Sequence, residues 1–284
     1  MQGYITLATG KPLFLDLALN LALSIKLNDP TRPVCLVTDP EMSIPDSYKA
    51  HFDYIVHLSP KPGFYGCLNK LRVNEVSPFD ETMFVDSDCI LVKNDMDRHW
   101  KKFQSPGFNI AGGKQTNGHW YTFAIDDIVK KLGIPYMVQM NSGVFYFKKG
   151  QESDNFFSTA LDLVERHKEL LGTYHRNKLQ LADEPFIGAA LGKLSIEPIS
   201  YRPSDGSIMI TTVRSSGEKF DPFTHLSEIV KHSDYLLLGR FFPQKNVEHS
   251  PSFAHFVKLK PQRIYNEISR KLREHFKIQP RKIK

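Results

Sequence analysis

The feature that most constrains this chain is the rhythm of its first hundred residues, where short apolar runs alternate with helically spaced apolar positions. Tyr4–Ala8 is a short apolar run that ends in Thr9-Gly10-Lys11-Pro12 and reads as a strand entering a loop. From Pro12, a favourable first-turn residue, apolar side chains at 14, 17, 18, 21, 22 and 25 recur at helical spacing. Pro33–Thr38 is a strand rich in β-branched residues and closed by Asp39-Pro40, and Tyr54–Leu58 is another. Leu68–Val76 reads as helical, Thr82–Val85 as a strand and Cys89–Val92 as one more. This β-α-β-β-α-β order predicts an α/β domain with a largely parallel sheet. On such sheets ligands bind outside the carboxyl ends of the strands.

Further along, the pattern predicts a strand at Asn109–Gly112, a helix at Ile125–Leu132 and a buried strand at Gly143–Phe147. Helices follow at Phe156–Leu171 and Pro185–Leu191, and strand fragments at Ile208–Thr212 and Tyr235–Leu238. No internal repeat or low-complexity linker interrupts the chain, so a single domain over residues 1–257 plus a tail over 258–284 is the economical organisation. Charge marks the same boundary. The chain is +6 overall, yet residues 258–284 hold ten Lys and Arg against two acids, leaving the body slightly acidic. A partner for nucleic acid is therefore not indicated. Three cysteines (Cys35, Cys67, Cys89) are too few for a disulfide framework or a Cys-based zinc site. The N-terminus carries no signal-peptide pattern, and the apolar stretch Leu13–Ile25 contains Asp16 and Asn20, so a cytoplasmic protein is expected.

The sharpest chemical signal is Met83-Phe84-Val85-Asp86-Ser87-Asp88. Carboxylates two residues apart at the end of a strand project to the same side, with Cα atoms about 6.6 Å apart. Two such charges repel unless a cation joins them, and hard oxygen donors favour Mg²⁺ or Mn²⁺. The competing explanation is a plain turn, for which Asp-Ser-Asp is also good chemistry. Asp183, two residues before Pro185, is likewise a good helix cap or first-turn acid on structural grounds alone. No P-loop, GxGxxG, HExxH, CxxC or GxSxG pattern is present.

The stretch from Asn69-Lys70-Leu71 to Asp86-Ser87-Asp88 resembles the approach to the DxD motif of GT-A nucleotide-sugar glycosyltransferases. It is most similar to family 8, the retaining group that includes glycogenin and lipooligosaccharide galactosyltransferases. Asn141-Ser142-Gly143-Val144-Phe145-Tyr146-Phe147 resembles that family's Asn-Ser-Gly-Val strand, and Asp183-Glu184 stands where the family usually has Asp-Gln. The order and spacing of the three match over roughly residues 3–195. The resemblance implies a Rossmann-like GT-A sheet, mixed but mostly parallel, flanked by helices in one domain. It also implies metal-dependent transfer of a hexose from a nucleoside diphosphate sugar, a UDP-sugar by preference, to a glycan or lipid-linked acceptor.

On that resemblance Asp86 and Asp88 hold Mn²⁺ or Mg²⁺, and Lys70 or Lys11 adds positive charge at the phosphates. Ser87 and Gly143 line the donor, Asn141 bonds sugar hydroxyls, and Asp183 or Glu184 contacts the transferred sugar. The family's uracil-binding Asp and Tyr are missing from Ala8-Thr9-Gly10-Lys11-Pro12, which leaves Thr6, Ala8, Thr9 and Asp39 to line a nucleoside pocket. His255-Phe256-Val257-Lys258-Leu259-Lys260-Pro261 is a shortened version of the family's metal-closing His segment, without its Gly and Trp. His255 is thus the candidate third ligand, with His249 in reserve. A catalytically silent binding protein of the same fold and a sugar nucleotidyltransferase are the alternatives. In the tail, Ile264, Ile268, Leu272 and Phe276 recur every four residues among basic side chains. Such a helix either docks its apolar stripe on the body or binds an anionic membrane, which would place the protein at the inner face.

Overall fold

The computed structural model describes residues 1–175, 178–200, 209–214, 217–230, 233–237, 240–244 and 248–278. Chain order begins β1 (Gln2–Ala8), α1 (Pro12–Asn28), β2 (Val34–Thr38), the single turn α2 (Asp46–Lys49) and β3 (Tyr54–His57). A 3₁₀ segment, Gly66–Glu75, leads to β4 (Glu81–Val85), β5 (Cys89–Leu91), α3 (Met96–Phe103) and β6 (Phe108–Gln115). The hairpin β7 (His119–Trp120) and β8 (Phe123–Ala124) precedes α4 (Ile125–Leu132), β9 (Met137–Lys148), α5 (Gln151–Leu171) and α6 (Asp183–Lys193). Near the end of the described chain lies α7 (Gln262–His275). The helix expected at Leu68–Val76 is the 3₁₀ segment; its buried Leu68 and Leu71 are three apart, the period at which 3₁₀ side chains align. Ile208, Leu238, Arg281, Lys282 and Lys284 lie outside the described residues.

The central sheet has six strands in the order β3-β2-β1-β4-β9-β6. The four on the β3 side run parallel, whereas β9 is antiparallel to both β4 and β6. The sheet is therefore mixed and mostly parallel, as expected. Because the chain moves outward from β1 to β3 and then returns to β4 on the other side of β1, the direction of travel reverses between β1 and β4. A crevice opens outside the carboxyl ends of strands at such a switch point. Asp86 follows β4 directly, so the fold delivers the Asp-Ser-Asp run to this crevice.

Alternation along the strands sorts side chains into two layers. On β1, Tyr4 and Ala8 pack with α1, while Ile5 joins the 3₁₀ segment, α5 and α6 on the opposite face. Helix α1 is apolar nearly all round and correspondingly buried from Leu15 to Ile25, save for half-covered Lys26 beyond it. Its polar residues fall at four-residue intervals, on one stripe: Asp16, Asn20, Ser24 and Asn28. Ser24 Oγ accepts from the Leu91 amide (2.9 Å) and Asn28 Nδ2 donates to the Leu91 carbonyl (3.1 Å), fixing β5. Asn20 Nδ2 donates to Tyr265 Oη (3.0 Å) and Ser269 Oγ (3.2 Å), fixing α7.

The tail helix uses its apolar stripe on the body: Ile268 and Leu272 are buried, with Ile264 and Phe276 packed against the same core. The charged face is partly neutralised as well, by the Arg270–Glu274 and Lys271–Glu267 pairs. Of the two readings of this helix, docking on the body is the one the apolar stripe follows. Among the described residues no helix is long and apolar enough to cross a membrane.

Candidate active site

Three structural devices bring distant residues to the switch point. The first is the end of β4. The Asp86 amide donates to the Gly143 carbonyl (2.8 Å) and the Cys89 amide to the Asp86 carbonyl (3.0 Å), a tight turn that presents both carboxylates. The turn and the pair of presented carboxylates are thus built from the same residues.

The second device is an irregularity in β9. Its ladder to β6 jumps from Ile110↔Phe145 to Gly112↔Met140, which leaves Asn141, Ser142, Gly143 and Val144 opposite Ala111 alone. Extra residues of this kind bend a strand and re-aim its side chains. Asn141 Oδ1 accepts from the Gly143 amide (2.9 Å), stapling the bend. A Cβ on Gly143 would lie 2.7 Å from Ile210 Cδ1 and 3.3 Å from Asp86 Oδ2, so the absent side chain is what admits the Asp86 carboxylate.

The third is the N-terminus of α6. The helix is preceded by Ala182, which supplies no side-chain cap, and its first turn carries Asp183 and Glu184. Asp183 points away from a capping role: its Oδ2 accepts from Ser142 Oγ at 2.5 Å and lies 3.4 Å from Lys70 Nζ. Glu184 accepts from the Ser142 amide (3.2 Å) and from Tyr121 Oη (2.6 Å).

Lys70 sits at the centre, 2.9 Å from Asp86 Oδ2 and 3.2 Å from Ser142 Oγ. It is not a solvated surface lysine; only 8% of it is exposed. Burial works to lower its pKa, but the adjacent Asp183 and Asp86 carboxylates outweigh that and keep it an ammonium. Asp86 is held above the ordinary carboxylate value by burial, with Lys70 opposing and Asp88 adding to the rise. Burial also raises Glu184, against the Tyr121 hydrogen bond.

His255, on the strand Phe253–His255, is brought in by antiparallel pairing with β5, opposite Cys89. Its Nε2 lies 3.1 Å from Asp88 Oδ1 and 3.8 Å from Asp86 Oδ2. Burial lowers the imidazole pKa, yet the hydrogen bond to Asp88 and the charges of both aspartates raise it overall. Its Nδ1 is buried without a hydrogen-bond partner among the described residues. Cys89 Sγ also falls within 4.8 Å of the Asp88 and His255 donor atoms. That thiol is buried and its pKa is pushed well up by burial and by the two aspartates, so it stays protonated and is the poorer donor. His249 lies elsewhere, paired opposite Ile229.

The cleft itself, about 240 Å³, is lined by Leu7, Thr9, Phe14, Gly66, Cys67 and Lys70, with Asp86, Ser87 and Asp88 on one wall. The residues expected from β1 need correction. Thr6 and Ala8 are buried in the sheet and are not among the cleft's lining; the strand alternation gives the cleft the expected Thr9 together with Leu7. Asp39 accepts from the Gly10 amide (2.5 Å) and lines a separate groove of about 580 Å³ with Pro40, Glu41 and Pro60. Lys11 is exposed at the start of α1 and lines neither. Sequence reasoning missed Ser142 as a bonding group, although it stands inside the Asn-Ser-Gly stretch, and missed Phe14 and Tyr121 altogether. For Tyr121 no sequence signal exists, because its partner is 63 residues away.

No family model matches the sequence, and no curated protein matches it at the sequence level. Among solved structures, the galactosyltransferase LgtC in complex with donor and acceptor sugar analogues superposes with a TM-score of 0.56 at 12% identity. The match covers 95% of this chain and 96% of that one. An active-site mutant of LgtC matches over the same shares at 12% identity, with a TM-score of 0.51. The chain has the GT-A glycosyltransferase fold, recovered at an identity where only the fold is shared.

Proposed function

We propose that this chain is a metal-dependent glycosyltransferase, moving a hexose from a nucleoside diphosphate sugar to a saccharide or lipid-linked acceptor with retention. The observation that carries the reading is the Asp86–Asp88–His255 arrangement at the switch point, beside a buried lysine and inside a cleft. Four carboxylates (Asp86, Asp88, Asp183, Glu184) surround one ammonium and one imidazole, an excess of negative charge that calls for a cation.

The donor set fits a hard divalent ion: the His255 Nε2 lies 3.1 Å from an Asp88 oxygen and 3.8 Å from an Asp86 oxygen, two carboxylates and an imidazole of the kind Mn²⁺ or Mg²⁺ takes. Asp86, Asp88 and His255 would hold it. When bound, such an ion stabilises the charge that builds on a departing diphosphate. Lys70, kept charged by its neighbours, supplies a fixed positive point at the same wall. Leu7, Thr9 and Phe14 offer an apolar floor and a hydroxyl to the donor. Asp183 and Glu184, rigid on the first turn of α6, face the transferred sugar, with Asn141 on the bend of β9. In this reading residues 1–257 form the transferase and the basic segment 258–284 follows it. The protein works in the cytoplasm, and exposed basic groups of the tail meet the inner membrane face.

Calorimetry with UDP and Mn²⁺ tests the reading on wild type and on the Asp86→Ala/Asp88→Ala double variant. Metal-dependent UDP binding in the first and its loss in the second are expected. No metal-dependent nucleotide binding by wild type would sink it. A screen of nucleotide-sugars for hydrolysis then identifies the donor, and release of UDP rather than pyrophosphate separates transfer from nucleotidyl chemistry.

A further inference from the structure

Tyr121 is a tyrosine in an expensive conformation. It occupies the turn of the β7–β8 hairpin with φ +52°, the left-handed region that a bulky side chain enters at a cost. Glycine would occupy the same turn without that cost. The ring is no core residue either, being 48% exposed. What the residue does have is one well-formed bond, from its hydroxyl to Glu184 Oε2 at 2.6 Å.

The hairpin is built to hold that bond. Trp120, next to Tyr121, is buried and lies against α6, where a Cβ on Gly188 would come within 3.0 Å of its Cζ3. Glu184 is on the same helix one turn earlier. Donor and acceptor of the bond are therefore mounted on one rigid body, and the Ile125 amide closes the hairpin onto the Gly118 carbonyl (2.8 Å). From Glu184 the network continues without a break. Its Oε1 takes the Ser142 amide, Ser142 Oγ bonds Asp183, and Lys70 joins Asp183 to Asp86. A half-exposed phenol is thus connected to the Asp-Ser-Asp wall through half-buried Glu184 and the buried Ser142, Asp183 and Lys70.

We propose that Tyr121 is a positioning residue for glycosyl transfer, fixing the Glu184 carboxylate against the bend of β9. The proposal rests on the transferase reading above. A two-oxygen carboxylate pinned at both ends has one orientation, and a group that faces a reacting sugar loses rate when its orientation is loosened. The charged and titratable groups that face Glu184 are Tyr121, Asp183 and Lys70. With the phenol removed, burial and Asp183 raise the carboxylate against the Ser142 amide and Lys70 alone, without the largest of the groups that oppose them.

The test uses Tyr121→Phe, Tyr121→Gly, Glu184→Gln and the Tyr121→Phe/Glu184→Gln double variant. The assay is hydrolysis of the nucleotide-sugar that wild type turns over fastest, with water as acceptor. Tyr121→Phe is expected to lower kcat about tenfold, the size of one lost orienting hydrogen bond, with the donor KM within about twofold of wild type. The double variant should be no slower than Glu184→Gln alone, and the acid limb of the pH–rate profile of Tyr121→Phe should move to higher pH. Tyr121→Gly should melt at or above the wild-type temperature and still be as slow as Tyr121→Phe, which separates positioning from folding. Wild-type kcat and pH profile in Tyr121→Phe, or losses that multiply in the double variant, would overturn the proposal. If wild type hydrolyses no nucleotide-sugar and binds no UDP with Mn²⁺, the transferase reading fails. The proposal falls with it, and ¹³C NMR titration of Glu184 separates the two failures: a higher pKa in Tyr121→Phe shows that Tyr121 holds the carboxylate in a protein of another function, and an unchanged one shows that it holds nothing.

Discussion

Among the described residues, two clusters of buried charge are built from nearly the same parts. Between α1 and α7, Asp16 bonds Tyr48 Oη (2.6 Å) and Arg273 (3.2 Å), and Arg273 Nε donates to Asn20 Oδ1 (2.9 Å). One carboxylate meets one guanidinium, and amide and hydroxyl groups complete the bonding on both sides. At the switch point, four carboxylates share one lysine and one histidine, and His255 Nδ1 has no partner among the described residues. Both clusters are shielded and both are held by tertiary contacts. The first is a closed account, with its charges matched; the second has carboxylates to spare. Burial of charge therefore does not by itself mark a functional site; an unbalanced sign is what distinguishes the second cluster.

That contrast is broken if the two clusters respond alike to mutation. Asp88→Asn should cut transfer about a thousandfold, about 4 kcal/mol of barrier, as expected for removing a group that anchors charge at the diphosphate. Its melting temperature should stay the same or rise, because one of the crowded like charges is gone. Steady-state kinetics beside a thermal melt checks both halves. Arg273→Met should do the reverse, costing about 3 kcal/mol of stability by stranding buried Asp16, while the rate per folded molecule is kept. Urea unfolding of that variant supplies the number. A stable Arg273→Met protein would mean that the α1–α7 cluster is not the closed structural unit described.

Two buried histidines sharpen the same contrast. His255 is held above 6.5 by its aspartates, whereas burial pushes His99, bonded to Ser252 Oγ (2.9 Å), down to about 4. A histidine depressed on folding binds its proton in the unfolded chain first, so between these values stability falls as pH falls. From pH 7 to pH 5 this loss should be about 2 kcal/mol, and it should disappear in His99→Gln, as urea melts at the two pH values would reveal. The smallest expected effect is at the bend of β9. Gly143→Ala pushes on Ile210 and Asp86, and should weaken Mn²⁺ binding about tenfold, about 1.4 kcal/mol, with little change in melting temperature. Calorimetry with the metal alone measures it. An unchanged affinity would show that Asp86 tolerates the displacement.

Much of the frame was legible in the residues. The parallel half of the sheet, α1 and the position of Asp86 and Asp88 at a strand end follow from patterns that repeat every two or every 3.6 residues. The direction of β9 and its partnership with β4 did not, because a strand's sequence carries no label for its neighbour. Thr6 and Ala8 were misassigned for a smaller reason. On a strand, one residue of offset exchanges the two faces, and the cleft belongs to Leu7 and Thr9.

The sequence alone determined the layers of this protein and the chemistry of the wall that Asp86 and Asp88 form, since both depend on neighbours along the chain. Tertiary structure decided the rest of the site. Lys70 became a buried cation, Asp183 a partner of Ser142 instead of a helix cap, and Tyr121 a support for Glu184 only when four separate elements met at one crevice. Local periodicity reports which face of an element is apolar. Charge balance in a site, and hence what the site must bind, is a sum over groups that only folding brings within a few ångströms of one another.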